Sequence, residues 1–69
     1  MKGIRNQILR TAEKLFLTQG YKTTTIRQIV QESGITSGSI YNIFEDKEHL
    51  FSALVDEFLT NAKAKIDKA

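Results

Sequence analysis

The sequence predicts an all-α fold, a small helical bundle built from three short helices and the start of a long fourth. Three observations predict it. Apolar residues recur at spacings of three and four along most of the chain. Glycines stand at positions 20 and 34, where that periodicity breaks, and polar residues suited to capping (Thr25, Thr36, Asp46) stand where it resumes. The chain of 69 residues is one small domain at most, and its 41% hydrophobic and 26% charged residues are those of a folded domain rather than a disordered tail.

The first helix is read over residues 4–19. Ile4, Ile8, Leu9, Ala12, Leu15 and Phe16 form a one-sided stripe, with Arg5, Arg10, Glu13 and Lys14 between them. Gly20 ends it in a left-handed cap and Tyr21 folds back onto the same core. Lys2 and Arg5 lie at the end of the helix that the dipole disfavours for cations, which leaves two readings, a phosphate held there or simple solvation. Lys22 to Thr25 reads as a loop. Thr25 and Gln28 make a capping-box pattern for a second helix over 26–32, with Ile26, Ile29 and Val30 inward.

Ser33-Gly34-Ile35 breaks that helix. Gly34 supplies the positive φ of a sharp turn, and Ile35 plugs the corner. Thr36 or Ser37 caps a third helix over 37–43, whose inward residues are Ile40, Ile43 and Phe44. Its other face carries Ser37, Gly38, Ser39, Tyr41 and Asn42, without Lys, Arg, Asp or Glu. Solvated helix faces are ordinarily charged, and a glycine costs such a helix about 1 kcal/mol relative to Ala. A small, uncharged, hydroxyl-rich face is suited to lying against a duplex. Asp46 caps the fourth helix, over 47–66, in which Leu50, Phe51, Leu54, Val55, Phe58, Leu59, Ala62 and Ile66 repeat at three and four. Its stripe outlasts the domain available to cover it, which points to self-association or to a further partner.

Spacing therefore supports a helix-turn-helix, set against an ordinary bundle with a glycine turn. Charge agrees with an anionic partner: through Phe44 six Lys and Arg face two acids, whereas from Glu45 onward four Lys face six acids. The absence of cysteine excludes disulfides, thiolate metal sites and cysteine nucleophiles. His49 has no partner cluster, the Ser and Thr residues lack a paired base, and no metal or phosphate-loop spacing occurs. No enzyme, cofactor or metal is expected. There is no apolar run of the roughly 18–20 residues that cross a bilayer and no signal-peptide core, so no membrane association and a cytoplasmic location are expected.

The stretch TTIRQIVQESGITSGSIYNIFEDKEHLF resembles the DNA-binding domain of the TetR family of bacterial transcriptional regulators. The shared elements are Gly20-Tyr21 after the first helix, Thr25 before the second, the turn at Gly34, and the run Gly38-x-x-Tyr41-x-x-Phe44-x-x-Lys47-Glu48-x-Leu50. The resemblance implies a homeodomain-like arrangement with the third helix in the major groove of double-stranded DNA. It implies that Thr25 and Arg27 contact DNA from the second helix, that Thr36, Ser37, Gly38 and Ser39 face it, and that Tyr41 and Asn42 reach backbone or bases. Lys47 is implied to contact phosphate, against a reading in which it pairs with a nearby acid. Ile43 departs from the family's usual His, a phosphate contact, and Val30 from its usual small residue.

Family members continue into a C-terminal domain that binds an inducer and forms a homodimer. The 69 residues are expected to lack that domain, to hold no small-molecule pocket and to dimerise weakly or not at all. The function so predicted is reading a palindromic operator within a nucleoid-associated repressor. The alternative is a helical protein-interaction or dimerisation module that uses the apolar stripe of the fourth helix.

Overall fold

The computed structural model describes residues 3–68, with side chains described as far as Asn61. Four helices follow one another without a strand among the described residues: α1 (Gly3–Gln19), α2 (Ile26–Ser33), α3 (Ser37–Ile43) and α4 (Lys47–Lys68). The first begins one residue earlier than its periodicity predicts, the second runs one residue further, and the fourth two. Lys2 lies outside the described residues, as do the side chains of Ala62 and Ile66.

Local chemistry fixes each junction. Gly20 has φ 94° and its N–H donates to the Phe16 carbonyl at 3.0 Å, ending α1 where a Cβ would be strained. The Thr25 hydroxyl accepts from the Gln28 N–H at 3.2 Å while the Gln28 side chain accepts from the Thr25 N–H at 3.0 Å. That reciprocal box closes the start of α2. Gly34, at φ 76°, donates to the Val30 carbonyl and turns the chain toward α3. Thr36 rather than Ser37 caps α3, accepting from the Ser39 N–H at 3.3 Å. Asp46 Oδ1 accepts from the His49 N–H at 3.0 Å at the start of α4.

Helix α1 is the centre of the packing, contacting α2, α3 and α4. Ile8, Leu9 and Ala12 of α1, Ile29 of α2, Ile40 of α3 and Leu50 of α4 are fully buried, with Leu15, Ile35 and Phe44 closing the core. Phe16, Tyr21 and Phe51 add an aromatic group with ring centroids 4.9–5.9 Å apart. Tyr21 thus does fold back, onto the α1–α4 side.

Three packing expectations are corrected. Ile4 is 48% exposed, because the core ends one turn inside the helix at Ile8. Ile43 is 40% exposed. Helix α3 is two turns long and buries the i,i+4 pair Ile40 and Phe44, which places Ile43 on the flank. The first half of α4 packs chiefly on α1 rather than on all three helices.

Beyond Leu54 the apolar stripe of α4 continues past what α1 covers, leaving Phe58 70% exposed. An apolar groove of about 280 Å³ lies there between α1 and α4, lined mainly by Phe16, Leu17, Phe51, Leu54, Val55 and Phe58. Where no small-molecule pocket was expected, the chain therefore has an open, greasy cleft.

Candidate nucleic-acid interface

The turn between α2 and α3 brings the sequence-predicted residues to two adjoining helices. Thr25 and Arg27 are exposed at the start of α2, and Thr36, Ser37, Gly38, Tyr41 and Asn42 are exposed on α3. Ser39 is half-buried, and its Oγ accepts from the Thr36 hydroxyl at 3.1 Å. Thr36 thus uses its hydroxyl twice inside the chain, which makes it a cap before anything else.

Gly38 is the informative residue. Its φ is not positive, and a Cβ built on it meets no atom within 4 Å. Neither backbone conformation nor internal packing calls for glycine here. The missing side chain leaves a shallow place on an exposed, uncharged surface, where an approaching backbone or base edge comes close.

Lys47 has a different environment from the one predicted. Its ammonium donates to the carbonyls of Tyr21 at 2.8 Å and of Thr24 at 3.0 Å, and lies 4.2 Å from the Tyr21 ring centroid. Two of its three N–H donors are thereby occupied, and no acid pairs with it among the described residues. Lys47 ties the start of α4 to the loop before α2, which fixes the height of Thr25 relative to α4. Thr24, whose sequence context is a featureless run of threonines, is fully buried; its hydroxyl donates to the Gly20 carbonyl at 2.8 Å.

The cations divide into paired and unpaired. Arg10 pairs with Glu13 at 3.5 Å and with Glu57 of α4, and Lys14 pairs with Glu32 at 3.7 Å. The Glu57 hydrogen bond raises Arg10 above its usual range, with Glu13 adding to the effect. Among the described residues Arg5, Lys22 and Arg27 have no carboxylate partner. At the α3–α4 corner His49 Nδ1 sits 2.9 Å from Asp46 and Nε2 3.6 Å from Glu45. The Asp46 hydrogen bond raises the His49 pKa and lowers that of Asp46. No group of three His, Cys, Asp or Glu arranged to hold a metal occurs among the described residues, and no described helix is long and apolar enough to cross a membrane.

Residues 8–54 match the model for bacterial regulatory proteins of the tetR family. Similar proteins include the HTH-type transcriptional regulator HbdR of Aromatoleum sp. (strain CIB), 39% identical over 93% of this chain and 28% of its own. The HTH-type transcriptional repressor KstR2 of Mycolicibacterium smegmatis is 38% identical over 80% of this chain and 27% of its own. An uncharacterized HTH-type transcriptional regulator of Bacillus subtilis, YxaF, is 51% identical over 67% of this chain and 25% of its own. The chain thus spans less than a third of the length of these relatives. No solved structure matches it.

Proposed function

The chain belongs to the TetR family of bacterial regulatory proteins, and on that premise we propose that it is the operator-reading module of a transcriptional repressor. Helix α3 lies in the major groove, with Gly38 allowing the closest approach. Ser37, Tyr41 and Asn42 supply hydrogen bonds to base edges or backbone, and Ser39, through the donor its hydroxyl retains, helps at the groove wall. Thr25 and Arg27 meet the phosphates beside α2. Thr36 orders the first turn of α3 against the DNA. The remaining N–H of Lys47 reaches phosphate from a position that its two carbonyl bonds hold fixed.

The single observation that carries this reading is Gly38: an exposed helical glycine without internal duty, on a face without charge. A repressor role is supported by the name of the KstR2 relative. The relatives' greater length supports a homodimer built by segments further along, which aligns two such modules on a palindrome inside the bacterial cytoplasm, at the nucleoid, until an inducer bound elsewhere releases them. Two unlinked copies of this module engage half-sites independently, so its own affinity is low.

The test is a fluorescence-anisotropy titration of the 69-residue chain against a randomised duplex pool and the sequences enriched from it, at two salt concentrations. Preference for one half-site that persists at the higher salt supports the reading. Equal, salt-erased binding to every sequence would sink it.

A further inference from the structure

We infer that Arg5, on α1, is a phosphate-contacting residue at the C-terminal end of α3, an inference that rests on the DNA-binding reading above. Of the described cations of α1, Arg10 and Lys14 are paired with carboxylates on Glu13, Glu57 and Glu32. Arg5 is held differently: its guanidinium carbon lies 5.5 Å from the ring centroid of Phe44, the residue that ends α3. A guanidinium held over an aromatic ring is attracted through its face, leaving the N–H groups along its edge to donate. Arg5 is thus positioned by a buried ring yet keeps its full charge and remains exposed.

The place it occupies needs such a group. Ile43 is the exposed side chain next to Phe44, and it has no donor. Tyr41 and Asn42 continue the polar face of α3 only up to that point. A phosphate running past this end of α3 therefore meets its cation from α1, a different helix. The planar fork of arginine suits two oxygens of one phosphate, whereas its position at the helix end, off the groove-facing surface, gives it no base to read. Its contribution is sequence-independent.

The experiment measures binding of the 69-residue chain to a short random-sequence duplex across a salt series, for wild type, Arg5→Ala, Arg5→Met and Arg5→Lys. Met keeps a side chain that packs over Phe44 without charge, which separates loss of the contact from loss of fold, and thermal melts identify folded variants. One phosphate contact changes the ratio of Kd at 200 mM to Kd at 50 mM salt by about 3.5-fold. Arg5→Ala and Arg5→Met are expected to lower that ratio by this factor, equally on random and enriched duplexes, while Arg5→Lys restores most of it. A folded Arg5→Met chain with the wild-type salt dependence overturns the inference and leaves the DNA-binding reading standing. A wild-type chain that binds no duplex at any salt overturns both.

Discussion

An added methyl group at Gly38 meets no atom of the chain, and a helix prefers alanine to glycine by up to about 1 kcal/mol. Gly38→Ala is therefore expected to raise the midpoint of chemical denaturation slightly while weakening DNA binding, and Gly38→Leu to abolish specific binding while the chain stays folded. Chemical melts paired with anisotropy titrations check both, and undiminished specific binding by Gly38→Leu would refute the close approach of α3. Lys47 behaves in the opposite way. Removing it leaves the Tyr21 and Thr24 carbonyls without their charged donor, so Lys47→Ala is expected to destabilise the fold by about 1–3 kcal/mol, read as a lower urea midpoint. At His49 the sign follows from the raised pKa. Its stabilising contribution is complete below the usual 6.5 and is lost as pH rises through the higher folded value, whereas that of Asp46 is present above the usual 3.8 and is lost as pH falls through its lowered value. The melting temperature of wild type should accordingly fall from mildly acidic to mildly alkaline pH, and His49→Gln should flatten that slope.

At the scale of elements, α2 and α3 are 8 and 7 residues long, far below the length at which an isolated helix persists. Their ends do much of the work of keeping them formed. Thr25→Ala removes one half of the capping box and is expected to cost about 0.5–2 kcal/mol, measured by denaturant titration. These devices were legible in the sequence because they are local: Thr25 and Gln28 are three residues apart, and Gly34 sits at the break in periodicity. The features that escaped the sequence are long-range. Lys47 finds carbonyls 26 and 23 residues earlier in the chain, and no spacing rule anticipates such a partner. Ile43 escaped for another reason. Two turns of helix bury only Ile40 and Phe44, fewer positions than the apolar pattern offers.

For the whole molecule, burial is concentrated around α1, while the later part of α4 has nothing of this chain to cover it. Phe58→Ser and Leu17→Ser are expected to change stability by no more than about 0.5 kcal/mol, since both side chains are largely exposed, yet to reduce self-association at high concentration. Denaturation and light scattering on the same samples separate the two effects. The positive surplus of the first 44 residues, legible from composition, is reduced in the fold by the Arg10–Glu57 and Lys14–Glu32 pairs. What composition could not locate was the set of cations left over, because that depends on which helices meet.

The shallow place at Gly38 sets the interests of folding and of recognition against each other at one codon. Laboratory evolution that scores only heat resistance or expression yield would enrich alanine there, and the survivors would be sturdier proteins deaf to their operator. Only a selection that couples survival to a silenced reporter gene would keep the glycine.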